Sequence, residues 1–229
     1  MTTAAAALLR ELYADALARV APAGPTARAL AALDLAPSIV LLATGKAALG
    51  MADGAAAALG DRVRARAVVA PVLRDEPGFH QGAHPVPDAR SEAAGRALLA
   101  AAAAARPDED VVALVSGGGS ALSAVPAPGL TLADKAATIA RLAGAGAPIA
   151  DLNCVRRHLS AIKGGRLAAA SRARVTTLVV SDVVGDALPE IASGPTVPDP
   201  TTFADARAAI DRWVGRDAVP PAVRARLEA

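Results

Sequence analysis

The chain has 229 residues, 53% hydrophobic but only 2% aromatic, so its core is built from Ala, Val and Leu in one large α/β domain, or one domain with an appendage. A net charge of +2 with no basic stripe interleaved with aromatics excludes nucleic acid as a partner. The single cysteine, Cys154, excludes an internal disulfide and suits a reducing, cytoplasmic setting, while Arg10, Glu11 and Asp15 break the apolar pattern of a signal peptide or membrane span.

Residues 4–20 read as an amphipathic helix, with Leu8, Leu9, Leu12 and Leu17 near helical spacing, ended by Pro22, Gly24 and Pro25. A short helix at 26–33 leads to SIVLLA (38–43), a strand that runs into Thr44-Gly45-Lys46 and an Ala-rich helix at 47–59. Lys46 therefore sits at a helix N-terminus, where the dipole disfavours a cation by ~0.3–1 kcal/mol. Either it is an ordinary surface lysine or an anionic ligand offsets that cost. The GK pair lacks the preceding glycine of a phosphate-binding P-loop, because Val40 stands there.

A second strand is predicted at 65–72, then a loop at 73–88. His80 and His84 in that loop lack a helical frame and a third metal ligand, so at most one histidine faces a substrate. Asp88 caps a helix over 89–105. The β-branched run VVALV (111–115) is a buried strand that breaks into Ser116-Gly117-Gly118-Gly119-Ser120. This loop reads either as a flexible strand–helix turn or as a cradle whose N–H groups and hydroxyls face an anion. It is neither a GxGxxG fingerprint nor a Walker A loop. Thr131 to Asp134 resembles a capping box before a helix over 132–143.

Residues 148–163 are expected to be helical until Gly164-Gly165, which would set Asn153, Arg156, Ser160 and Lys163 on one face without acidic partners. That face is either merely solvated or poised for an anion. A further strand at 175–180 ends in Ser181-Asp182, where Asp182 is either a Mg2+ ligand or a turn or cap residue. A Pro/Gly-rich ordered loop (191–202) precedes a helix at 203–214, and a short helix ends the chain.

Strands alternating with helices predict an α/β fold, a three-layer α/β/α architecture with a mostly parallel, Rossmann-like sheet. Such a sheet gathers the loops TGK, SGGGS and SDVVGD at its carboxyl edge. A cation, an N–H cradle and carboxylates there are the equipment of phosphoryl transfer.

The stretches TGKAALGM (44–51), HPVPDARS (84–91), VSGGGSAL (115–122), LNCVRRHLSAIKGGRLA (152–168) and SDVVGDALPEIASGPTVPDPTTFADA (181–206) resemble the N-terminal (DUF4147-like) domain of the type II glycerate 2-kinase family, some members of which are labelled hydroxypyruvate reductase. The resemblance runs over nearly all of 1–229 and implies transfer of the γ-phosphate of ATP to the 2-hydroxyl of D-glycerate with a divalent metal, Mg2+. It implies that Lys46 is the catalytic lysine. By position, Ser116, Gly117, Gly118, Gly119 and Ser120 would cradle phosphate. Asn153, Arg156 and Lys163 would hold phosphate or the glycerate carboxylate, and Asp182 and Asp186 would serve the metal. Family members are longer and carry a C-terminal MOFRL domain that closes the cleft. The expectation is therefore weak or no kinase activity from this chain alone, with a separately encoded second domain or a homodimer as partner. Hydroxypyruvate reduction, or nucleotide binding without turnover, are the alternatives.

Overall fold

The computed structural model describes residues 3–228. In chain order its elements are α1 (Thr3–Val20), α2 (Ala23–Ala31), β1 (Ile39–Thr44), α3 (Ala48–Leu59), β2 (Val63–Ala70), β3 (Phe79–Gln81), α4 (Ala89–Ala103), β4 (Asp110–Ser116), α5 (Gly119–Leu122), α6 (Leu132–Gly144), α7 (Ile149–His158), α8 (Arg166–Ala169), β5 (Arg174–Val180), α9 (Phe203–Trp213) and α10 (Pro221–Glu228). No described helix is long and apolar enough to cross a membrane.

The five strands form one all-parallel sheet in the order β3-β2-β1-β4-β5. Its central strands are apolar and buried along their whole length, as a sheet covered on both faces requires. Alternation decides which face each side chain serves. Val40, Leu42, Val111 and Ala113 pack with Leu98 of α4, Ile162 and Leu167. Ile39, Leu41, Val112 and Leu114 pack on the opposite side with Leu30 of α2 and Met51 and Leu59 of α3. Beside these layers, α6, α7, α9 and α10 share a core of their own around Leu142, Val155, Leu159, Ile210 and Val223. The capping box expected at Thr131 and Asp134 is present, the expected N-cap Asp88 is part of a reciprocal box with Ser91, and Thr202 with Asp205 forms a third.

Strand order reverses between β1 and β4. The loops leaving their carboxyl ends are Thr44-Gly45-Lys46 and Ser116–Ser120, so both flank the crevice where open parallel sheets bind ligands. At the opposite edge, Glu109 is fully buried. It accepts from Arg64, Ser38 Oγ and the Arg106 N–H, and the Arg64 guanidinium holds its carboxyl well below the usual range. That edge is stapled for stability, and the carboxyl edge is left for ligands.

The structure departs from the sequence reading in three places. Phe79–Gln81 is a strand on β2, not loop. The helix expected to run to Gly164 stops at His158. Beyond it, Pro126 and Ser160 form an isolated bridge, and the Ala161 N–H donates to Val125 O at 3.0 Å. Asn153, Arg156 and Lys163 therefore do not lie on one helix face. Finally, α1 forms as expected, but Leu8, Leu12 and Leu17 on its apolar stripe are exposed.

Candidate functional site

Gly45 has φ 127°, and a β-carbon there would strike Ser116, so the ends of β1 and β4 can pass this closely only with glycine. The contact is sealed by hydrogen bonds. The Lys46 N–H donates to Gly117 O at 2.9 Å, and the Ala47 N–H donates to Ser116 Oγ at 3.0 Å. One turn on, Thr44 Oγ1 and Ser123 Oγ lie 2.9 Å apart and buried. The two loops of the crevice are therefore one rigid unit.

Gly117 and Gly118 form the floor. A methyl on Gly117 would overlap the Asp182 carboxylate, so that carboxylate lies directly on the Gly117 backbone. A methyl on Gly118, which has φ 85°, would touch Lys46 Cγ at 3.0 Å and His84 Cδ2 at 3.3 Å. Lys46 Nζ stands 3.7 Å from Asp182 Oδ2, with both side chains more than half exposed. Lys46, His84 and Asp182 thus surround two side-chain-free residues, an arrangement that leaves backbone N–H groups open to an anion with a cation beside them. Asp186 is placed differently. It is exposed in a turn with φ 50°, its N–H donating to Val183 O, and among the described residues it makes no ion pair.

The two serines of the cradle face inward. Ser116 Oγ serves the Ala47 N–H, and Ser120 Oγ lies 2.7 Å from Ser193 Oγ. Ser193 Oγ in turn donates to Asn153 Oδ1 at 3.0 Å, which also accepts from Arg156 Nη1 at 3.0 Å. Asn153 Nδ2 donates to Glu190 Oε2 at 2.5 Å. The expectation that this segment lacks acidic partners is overturned for Asn153. Its amide is consumed within a network that ties α5, α7 and the 189–201 loop together.

Sequence reasoning gave no role to Arg157, which is fully buried. Its Nε donates to Asp199 Oδ1 at 2.7 Å and its Nη1 to Pro189 O and Glu190 Oε1. These carboxylates lie more than thirty residues away in sequence, so no local signal marks the pair. Arg156 and Lys163 have no carboxylate within 4 Å among the described residues. They line a cavity of about 190 Å3 with Ser120, Val86 and a third cation, Lys135 of α6. Burial pushes the Lys135 ammonium down to about 7, aided by the charges of Arg156 and Arg166, and pushes Lys163 well below its ordinary value. On a capped, amphipathic helix Lys135 looks like a solvent-facing residue. The signal that could have found it is the rarity of lysine, of which the chain has only three.

A family model described only as a domain of unknown function, DUF4147, matches residues 8–228. A D-glycerate 2-kinase of Thermotoga maritima is 37% identical over 183 residues, covering 76% of this chain and 43% of the relative. A protein of Agrobacterium vitis that bears a provisional hydroxypyruvate reductase name is 43% identical over 193 residues, covering 82% of this chain and 44% of the relative. The solved structure of a glycerate kinase from Thermotoga maritima superposes with a TM-score of 0.85 at 33% identity, covering 99% of this chain and 55% of the other. The chain thus spans about half the length of the relatives it matches.

Proposed function

The chain belongs to the DUF4147 domain family, and from that membership we propose that it supplies the phosphate-handling wall of a glycerate 2-kinase, transferring the γ-phosphate of ATP to the 2-hydroxyl of D-glycerate. The observation that carries this reading is the convergence of Lys46 and Asp182 on the bare backbone of Gly117 and Gly118 at the β1/β4 switch point. Phosphoryl transfer needs little covalent help from a protein. It needs positioning and neutralisation of charge on the transferring group. The Gly117–Gly118 backbone carries no side chain of its own between its N–H groups and a ligand, and Lys46 brings a mobile point charge to the same place.

The donor set fits a Mg2+ ion that arrives with the nucleotide. Magnesium keeps water and phosphate oxygens and uses one or two carboxylates, and Asp182 is one carboxylate aimed at the cradle. Among the described residues no group of three or more His, Cys, Asp or Glu forms a cage that would hold the ion by itself. Such an ion, when bound, would neutralise charge on the phosphates. Asp182 is the residue to hold it, with Asp186, exposed on the following turn, as a second carboxylate of the same loop. Ser116 and Ser120 serve by fixing the loop's shape. Asn153 positions Arg156, and Arg156 and Lys163 are left to meet an anionic group of a substrate.

A nicotinamide-dependent reductase, the reading suggested by the Agrobacterium vitis name, would need a pyrophosphate fingerprint after β1. The loop there is Thr44-Gly45-Lys46, with one glycine. The test is a coupled assay for 2-phosphoglycerate formed from D-glycerate and ATP, run beside NADH oxidation with hydroxypyruvate. Phosphorylated product that disappears in Lys46→Ala supports the kinase. NADH oxidation without it would replace this reading.

A further inference from the structure

Arginine supplies the cation of every ion pair among the described residues except Lys46–Asp182 and the His158–Asp199 contact. The sequence has 24 basic residues of the Lys and Arg types, and only Lys46, Lys135 and Lys163 are lysine. Lysine in this chain is therefore not a general surface cation. All three lie at the crevice or in the cavity beside it.

Lys135 and Lys163 are 4% and 2% exposed. Lys135 Nζ is buried and hydrogen-bonds to no described residue. No carboxylate stands within 4 Å of either ammonium or of the Arg156 guanidinium among the described residues; Arg156 depresses both lysines, and Lys135 depresses Lys163. Burying a charge without a partner costs several kcal/mol unless something else compensates. Here three basic side chains are gathered around one cavity, whose remaining wall is mostly apolar, from α6 (Ala136, Ile139, Ala140), the 85–87 segment and α5, with Ser120 as its one hydroxyl. A fold that bears this cost holds a site whose missing counter-charge is an anion.

We propose that this cavity is the seat of the acidic substrate's carboxylate, with Lys135 and Lys163 as buried point charges and Arg156, aligned by Asn153, as the fork that closes on it. The assignment rests on the kinase reading and adds to it a substrate subsite and a specificity-determining residue, Lys135. Two features favour a carboxylate over the nucleotide's phosphates. The cradle with Lys46 and Asp182 already provides for phosphate. The cavity, at about 190 Å3, admits a small hydroxy acid, and its donors are confined to three cations and Ser120 within an otherwise apolar lining, too few and too close for a polyphosphate chain. Ser120 lines the cavity and belongs to the cradle loop, so the acid's hydroxyl and the phosphates would meet across α5.

Because there are only three lysines, the protein labelled with 13C at lysine Cε reports on the whole question. Its three signals are assigned by Lys→Arg at each position. Titration of the full chain with D-glycerate alone should move the Lys135 and Lys163 signals saturably and leave Lys46 in place. Glycerol, which lacks the carboxylate, should move none, and ATP with Mg2+ should move Lys46. Lys135→Met should weaken glycerate roughly tenfold or more while ATP affinity holds, and Lys135→Arg should restore part of the loss. The proposal is overturned if glycerate moves only Lys46 or no lysine at all, if ATP or inorganic phosphate claims the Lys135 and Lys163 signals, or if Lys135→Met leaves glycerate affinity within about twofold. Failure of the kinase reading shows separately, as a Lys46 signal that ATP with Mg2+ does not move.

Discussion

Lys46 Nζ faces Asp182 Oδ2 at 3.7 Å across the backbone of Gly117, and the pair is more than half exposed. An exposed ion pair of this kind contributes about 0–1 kcal/mol. Its position at the switch point therefore adds little to stability, which fits the proposed role in handling phosphate. Lys46→Ala should leave the thermal midpoint within a few degrees of the parent, by scanning calorimetry. The same variant should lose affinity for ATP with Mg2+, and with it any phosphoryl transfer the parent shows towards D-glycerate; a variant that unfolds early would assign Lys46 a structural role.

The glycines of the crevice separate shape from function. A methyl at Gly117 meets the end of a flexible, exposed Asp182 side chain, which can swing away. Gly117→Ala should cost under about 1 kcal/mol of stability, within the range of ordinary surface changes, yet displace Asp182 and weaken binding of ATP with Mg2+. A methyl at Gly45 meets the backbone of Ser116 at a positive φ, where nothing can yield. Gly45→Ala should therefore cost several kcal/mol, about 3 or more, by parting β1 from β4. Urea unfolding of the two variants, read beside nucleotide titration, checks both halves.

Much of this site could be read from the chain because a parallel sheet writes its central strands as unbroken apolar runs. SIVLLA and VVALV are short, β-branched apolar runs bounded by glycine loops, which reads as buried strands, and a parallel sheet brings the loops after them to one edge. What escaped reading is tertiary. Phe79–Gln81 is three residues with a histidine and a glutamine, squeezed after Pro77-Gly78, and it becomes a strand only because β2 offers an edge. The end of α7 at His158 is decided by Val125 and Pro126, which draw Ser160 and Ala161 out of the helix. Asp199, the partner of Arg157, is brought in by a loop whose path no periodicity encodes.

Burial pushes Lys135 down to about 7 in the folded chain, from an unfolded value near 10.5. Between those pH values the unfolded chain binds more protons than the native one, so this residue makes stability rise with pH from about 7 towards 10.5. Its cost is fully present below pH 7. Lys135→Met should therefore be more stable than the parent, with a gap on the order of 1–3 kcal/mol at pH 6 that narrows by pH 9. Denaturant melts of both proteins at the two pH values test this. A gap that widens with pH would show that the ammonium is not paying a burial cost. Carboxylate binding, which favours the charged lysine, should tighten as pH falls from 9 towards 7.

Arg156 and Arg157 are adjacent and do opposite work. Arg157 is 2% exposed and bonded to Asp199, Glu190 and Pro189 O, so its removal takes the guanidinium from the largely buried Asp199, which keeps only Thr201 and His158, and from Glu190, which keeps Asn153. Breaking a buried pair in this way costs about 3–5 kcal/mol. Arg157→Leu should lower stability by that amount and loosen the 189–201 loop that carries Ser193, and with it the Ser120 end of the cradle. Arg156 bonds only to Asn153 Oδ1 and depresses its lysine neighbours, so Arg156→Leu removes a like-charge repulsion along with its hydrogen bond. Its stability should change by under about 1 kcal/mol, while affinity for D-glycerate falls roughly tenfold. Thermal unfolding and ligand titration of the two variants decide the assignment. If Arg156→Leu unfolds as readily as Arg157→Leu, the cation of the cavity is a structural strut and not a substrate contact.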